Sequence, residues 1–94
     1  MFNVYMDDVR PIPAGLVGKW VPIRKVEDVI YLLEKGWVFN LSLDHDMGAG
    51  EATGYDLVNW MERNDCWPHG TITIHSRNPV GAENMRRALE ANGK

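Results

Sequence analysis

The chain has 94 residues, of which 45% are hydrophobic and 24% are charged, and it carries a formal net charge of −3. This length provides one core, so we expect a single small globular domain over residues 1–94. The negative charge argues against a general binder of duplex DNA or of a membrane surface. A small phosphate-bearing substrate remains compatible, because a metal ion can reverse the local sign of the charge.

The single cysteine, Cys66, excludes an internal disulfide and a zinc site made of cysteines alone. The N-terminal stretch 1-MFNVYMDD-8 has no basic region followed by a long apolar core. No run of the chain approaches the roughly 20 apolar residues of a membrane span. We therefore expect a cytoplasmic protein without a membrane partner.

In chain order, alternating apolar and polar residues first predict a strand over 2–7. The following segment, 9–19, contains two prolines and two glycines and shows no helical pattern. A weaker strand pattern at 20–26 includes Pro22, which suits the edge of a sheet.

The next predicted element is a helix over 26–36, which has acidic residues in its first turn and Gly36 as its stop. Residues 39–44 then alternate again and predict a strand. The apolar stripe of the helix consists of Val26, Val29, Ile30, Leu33 and Trp37.

A second helix is predicted over 54–64, because Thr53 and Asp56 form a capping-box pattern at its start. A strand follows over 71–76. The last predicted helix, 79–92, comes after Asn78-Pro79, which suit an N-cap and a first helical position.

Strands that alternate with helices predict an α/β fold with an open parallel sheet and crossover helices. Buried parallel strands usually read as continuous apolar runs, yet the three clear strands here alternate. One face of the sheet should therefore lack a full helical layer. Residues 9–19 and the tryptophans could cover this polar face, or a second copy of the chain could do so in a homodimer.

Ionisable and hydroxyl side chains stand at the carboxyl ends of the three clear strands. Parallel strands end at the same edge of a sheet, and ligands of open α/β folds bind there. The residues that should gather at this edge are Asp7, Asp8, Asp44, His45, Asp46, His75 and Ser76.

This set of side chains suits a divalent cation such as Mg²⁺ or Mn²⁺, which prefers oxygen ligands. Asp7, Asp8 and Asp44 are the predicted metal ligands, with a backbone carbonyl near Asp46 as a further donor. Without a cation, close carboxylates repel one another. Each aspartate taken alone could equally be a turn or cap residue.

The same edge offers groups for phosphate binding and proton transfer. Ser76 and the backbone N–H groups at the start of the last helix could hold a phosphoryl oxygen. Asn78 can be a helix cap or a phosphate ligand, and Arg10 can pair with the neighbouring acids or bind phosphate. His45 and His75 are candidates for proton transfer.

These residues resemble the receiver domain of response regulators. The segment 4-VYMDD-8 is similar to the receiver's metal-binding acidic pair, and 41-LSLDHDMG-48 to the strand that carries the phospho-accepting aspartate, which matches Asp44. Ser76 falls where receivers place a phosphate-binding Ser or Thr. The resemblance implies a flavodoxin-like sheet of about four strands in the order 2-1-3-4. It would be truncated, without the first crossover helix and without the fifth βα unit and its strand-end lysine.

A closer resemblance is to the cyclic-phosphate processing receiver domains of bacteria and phages. It rests on 7-DDVRPIP-13, on 43-LDHDMG-48 with 53-TGYDL-57, and on 74-IHSRNPVGAENM-85, which together span almost the whole chain. The resemblance implies retained metal-binding acids, histidines near the site, and action on a cyclic phosphate of a nucleotide or an RNA end.

Three functional hypotheses follow. The first is a metal-dependent phosphoesterase in which Asp7, Asp8 and Asp44 bind Mg²⁺ or Mn²⁺, with Asp44 alternatively attacking phosphorus. In it, His75 or His45 transfers protons. The second is a non-enzymatic interaction or regulatory module that uses the polar sheet face or a helical surface. The third is a phospho-accepting switch at Asp44, which the missing lysine disfavours.

Overall fold

The computed structural model describes residues 1–94, and its elements follow the predicted order. A 3₁₀ turn at Ala14–Leu16 occupies the place of a crossover helix between the first two strands. The strands are β1 (Phe2–Met6), β2 (Val21–Ile23), β3 (Val38–Leu43) and β4 (Ile72–Ile74). The helices are α1 (Val26–Glu34), α2 (Gly54–Asn64) and α3 (Pro79–Ala91).

All strand pairs are parallel, and the four strands lie in the order β2-β1-β3-β4. Tyr5 of β1 is in register with Pro22 of β2 and with Ser42 of β3, which is in turn in register with Thr73 of β4. The predicted α/β class, the receiver-like strand order 2-1-3-4 and the lack of a crossover helix between β1 and β2 are therefore confirmed. None of the helices is long and apolar enough to cross a membrane.

The hydrophobic core lies on one face of the sheet. Val4 and Met6 of β1 and Leu41 and Leu43 of β3 have no exposed surface and belong to one cluster that also contains residues of all three helices. Successive side chains of a strand point to opposite faces. The three helices thus form a single layer, and the alternating strand sequences reflect the absence of a second one.

The opposite face of the sheet satisfies its polar groups across the strands. The Asn40 side chain donates to Asn3 Oδ1 (3.2 Å) and accepts from the backbone and hydroxyl of Thr71 (2.8 and 2.9 Å). Asn3 in turn donates to the carbonyl of Lys19 (3.2 Å), which attaches the end of segment 9–19 to β1.

The prediction that Trp37 belongs to the stripe of the first helix is wrong. The helix ends at Glu34, and Gly36 adopts a left-handed conformation (φ 72°) that turns the chain toward β3. Trp37 lies in this connection, 45% exposed, and its ring packs edge-on against Tyr31 at 6.4 Å. The stripe therefore ends at Leu33, the last buried residue of α1.

Gly54, the first residue of α2, has no room for a side chain. A Cβ there would collide with the backbone carbonyl oxygen of Asp44 and lie 2.8 Å from Met85 Sδ. Gly54 N–H also donates to the carbonyl of His45 (2.9 Å). The start of α2 is thus packed directly against the backbone that carries Asp44.

We predict that Gly54→Ala lowers the free energy of unfolding by about 1–3 kcal/mol or more, the usual scale of overpacking. The added methyl group would meet the backbone of Asp44, so a change of side-chain rotamer cannot remove the clash. Urea denaturation would measure the loss. Gly15→Ala is the matched control, because no atom lies within 4 Å of its Cβ position. It should change stability by less than about 0.5 kcal/mol; equal effects of the two substitutions would contradict the prediction.

Candidate metal centre

Asp7, Asp44 and His75 each come directly after a strand and continue its hydrogen-bond ladder. Their backbone N–H groups donate to the carbonyls of Ile23, Met6 and Leu43 at 3.1, 3.0 and 2.9 Å, respectively. Because Met6 and Leu43 point into the core, the next residues point to the face without helices. One ligand atom from each of the three side chains lies within 4.8 Å of the others.

Asp7 is a buried carboxylate with many hydrogen-bond donors. Its Oδ1 accepts from the backbone N–H groups of Val9 (3.0 Å) and Arg10 (2.7 Å), and its Oδ2 lies 3.1 Å from His75 Nε2. Burial alone would raise its pKa, but the two backbone donors and His75 outweigh burial, so the pKa lies below its ordinary value. Asp7 is therefore charged at neutral pH.

Asp44 is also buried, at 6% exposure, and has fewer donors. Its Oδ1 accepts from the backbone N–H of His45 (2.8 Å), and both this bond and the nearby Ser76 hydroxyl act to lower its pKa. Burial first, and then the negative charge of Asp7, raise its pKa above the ordinary value. The fold thus stabilises the charged form of Asp7 and disfavours the charged form of Asp44.

The ring of His75 is held on three sides. It stacks on Tyr5 with 4.1 Å between ring centroids and 9° between planes, and its Nδ1 lies 2.7 Å from Ser42 Oγ. Since Asp7 is a charged acceptor, Nε2 carries the hydrogen and the Ser42 hydroxyl donates to Nδ1. Burial lowers the pKa of His75 despite the opposing effect of Asp7. The imidazole is therefore neutral at neutral pH.

Two arginines fix the backbone around this group. Arg10 Nη1 donates to the carbonyl of His75 (3.0 Å), and its Nε lies 3.7 Å from Asp7 Oδ2. Arg24 Nη1 donates to the carbonyls of Asp7 and Arg10, both at 2.9 Å. The guanidinium of Arg10 thus belongs to the frame of the site.

The remaining predicted site residues lie around this centre. Asp8 is outside the group of three ligands, partly exposed, with Oδ2 facing the loop at Gly48. Ser76 adjoins the centre, since its hydroxyl acts to lower the pKa of Asp44. His45 and Asn78 form a separate cluster with Asp46, in which Asn78 caps α3.

Sequence reasoning did not identify Tyr5, Ser42 and Arg24. Tyr5 and Ser42 stand two positions before Asp7 and Asp44, so they share the face on which those acids lie. That spacing is a usable signal once the sheet face is known. No comparable pattern marks Arg24, which reaches the site from beyond the end of β2.

The donor set fits a hard divalent cation. Burial and the negative charge of Asp7 both raise the pKa of Asp44. A cation bound between the two carboxylates would offset their repulsion and the cost of burying their charges. The imidazole of His75 is already hydrogen-bonded to Asp7 through Nε2. Carboxylates that bind a metal ion are commonly held by such a second hydrogen-bond partner. The oxygen atoms of Asp7 and Asp44 are thus the available ligands.

Comparison with known proteins identifies the family of the chain. The sequence model of one protein family, the cyclic-phosphate processing receiver domain, matches residues 2–91. The chain therefore belongs to the cyclic-phosphate processing receiver domain family. No curated protein and no solved structure matches the chain.

We predict that the protein loses stability as the pH falls below about 6.5, the ordinary histidine value. The lowered pKa of His75 means that the unfolded chain takes up its proton before the folded one does. His75→Gln keeps a donor for Asp7 but removes this titration. Urea denaturation at about pH 8 and about pH 5.5 should show a smaller loss in the variant. An equal loss in both proteins would contradict the prediction.

We predict that Asp44→Asn raises the stability of the protein relative to the wild type when no cation is present and lowers it when a cation is bound. Without one, the variant should be more stable than the wild type at neutral pH, because a charge that the fold disfavours is removed. With Mg²⁺ or Mn²⁺ at 100 times its Kd, the wild type should gain about 2.7 kcal/mol and the variant little. Denaturation curves measure both effects.

Asp28→Asn is the charge-matched control for this experiment. Asp28 is an exposed aspartate in the first turn of α1, remote in sequence from the centre. The Asp28→Asn protein should keep the stabilisation by the cation. A wild type that gains nothing from either cation would rule out the metal centre.

Proposed function

We propose that the protein is a metal-dependent phosphoesterase that opens a cyclic phosphate on a nucleotide or at an RNA end. The observation that carries the proposal is the pair of buried carboxylates, Asp7 and Asp44, at the carboxyl edge of the sheet. Family membership supports the substrate class.

Asp7 and Asp44 would hold Mg²⁺ or Mn²⁺. A cation bound there supplies positive charge that stabilises the phosphoryl oxygens in the transition state. His75 keeps Asp7 charged and oriented through Nε2, while Ser42 and Tyr5 hold the His75 ring. In this proposal His75 orients a ligand, and a proton-transfer group has to come from elsewhere.

Ser76 is the candidate for binding the phosphate, whereas Arg10, bonded to the His75 carbonyl, and Asn78, the cap of α3, hold the frame of the site. Ser76 lies between the two polar clusters: its hydroxyl accepts from the backbone N–H of Asn78 (3.1 Å) and is close enough to Asp44 to lower the pKa of that carboxyl. A phosphoryl group at Ser76 would therefore lie beside both the cation ligands and the start of α3, whose N-terminal dipole favours an anion.

The test is the opening of 2′,3′-cyclic nucleotides and of RNA ends with a cyclic phosphate, followed by chromatography of the monophosphate product. With Mg²⁺ or Mn²⁺ we expect turnover by the wild type. Asp44→Asn should reduce it about 100-fold or more, since several kcal/mol of charge stabilisation would be lost. Asp28→Asn should match the wild type. Equal rates for the wild type and the Asp44→Asn protein across these substrates would sink the proposal.

The second candidate is an interaction module, which exposed aromatic residues favour. Phe2, Trp37 and Phe39 are 43%, 45% and 46% exposed near the amino ends of β1 and β3, and Tyr31 packs beside Trp37. A partner held there would be independent of the carboxylates. Partner capture that survives Asp44→Asn, together with no effect of cations on stability, would favour this function over the phosphoesterase.

A further inference from the structure

His45 and Asp46 form a second polar cluster beside the metal centre. His45 Nδ1 lies 2.8 Å from Asp46 Oδ1, and the same oxygen lies 3.3 Å from Asn78 Nδ2. The backbone N–H of His45 donates to Asp44, so the cluster adjoins the proposed cation ligands. The His45 side chain is 18% exposed, whereas that of Asp46 is 65% exposed.

The cap of α3 fixes the direction of this network. Asn78 Oδ1 accepts from the backbone N–H of Gly81 (2.9 Å), so the NH₂ group of the amide faces Asp46 and His45. An amide NH₂ can only donate, and a carboxylate can only accept. The hydrogen between His45 and Asp46 must therefore be on His45 Nδ1.

The other ring nitrogen of His45 is free. Nε2 forms no hydrogen bond, and no buried side-chain nitrogen or oxygen lacks a partner, so Nε2 is accessible to solvent. With the hydrogen on Nδ1, Nε2 presents a lone pair. His75 differs, because both of its ring nitrogens are hydrogen-bonded.

Gly81 allows the His45 ring to lie against the first turn of α3. A Cβ at this position would come within 2.5 Å of His45 Cδ2 and 2.8 Å of Nδ1. Gly81 lies within α3 and does not have a positive φ, so the absence of a side chain serves this contact rather than the backbone conformation.

We propose that Asp46 and Asn78 are positioning residues that hold His45 as the Nδ1–H tautomer, so that His45 Nε2 is the proton acceptor of the site. The inference rests on the proposed function. Water would lose a proton to Nε2 while its oxygen bonds to phosphorus. The bond from phosphorus to one ribose oxygen then breaks, and that oxygen receives the proton from the imidazolium. Asp46 stabilises the imidazolium between the two transfers.

The first test determines the tautomer of His45 directly. In protein labelled with ¹⁵N-histidine, at about pH 8 where imidazole is ordinarily neutral, long-range ¹H–¹⁵N spectra distinguish a protonated ring nitrogen from a bare one. We expect Nδ1–H for His45 in the wild type. Asp46→Ala should convert His45 to Nε2–H or a mixture. Asp46→Asn should retain more Nδ1–H, because its amide oxygen can still accept. Asp28→Ala, which removes the same charge elsewhere, should change nothing.

A second readout uses activity. Asp46→Ala should lower kcat for a cyclic nucleotide by about 10- to 100-fold, within the range for general-base catalysis, and should leave the stabilisation by Mg²⁺ unchanged. A wild-type His45 in the Nε2–H form, or an Asp46→Ala protein that keeps both Nδ1–H and full kcat, would overturn the inference. If the tautomer is Nδ1–H but no cyclic phosphate is opened, the proposed function fails and the arrangement of His45 stands.

Discussion

The repulsion between two buried carboxylates is the constraint on which the rest of the site depends. Asp7 tolerates burial because it accepts from two backbone N–H groups and from His75. The neighbouring Asp44 lacks this support, and its pKa is raised. The contacts of His75 and of both arginines therefore stabilise Asp7 and the backbone around it. The negative charge of Asp44 is left without comparable stabilisation.

This arrangement is possible because helices cover only one face of the sheet. The face without helices carries Tyr5, Ser42 and the three side chains that extend the strands, and it satisfies its own polar groups through the Asn3–Asn40–Thr71 contacts. A helix packed on this face would need apolar residues at these positions. The single helical layer and the polarity of the strands are thus one property.

Much of this could be predicted from the sequence, because it depends on short-range patterns. Alternation identified the strands, capping residues identified α2 and α3, and parallel strand ends placed Asp7, Asp44 and His75 at one edge. The contacts of Ser42 and Arg24 depend on the register and on side-chain direction across the sheet, which the sequence does not encode locally. Trp37 was misplaced because helical spacing continues past the real end of α1, where Gly36 reverses the backbone.

The two edge strands have a further consequence for the behaviour of the protein at high concentration. β2 and β4 contain three residues each, and Pro22 removes a donor from the middle of β2. A short edge, or one interrupted by proline, is a poor template for strand addition by another chain. A four-stranded sheet with an open polar face could otherwise grow by edge-to-edge aggregation. Because both edge strands are short, we expect the sheet to remain four strands wide.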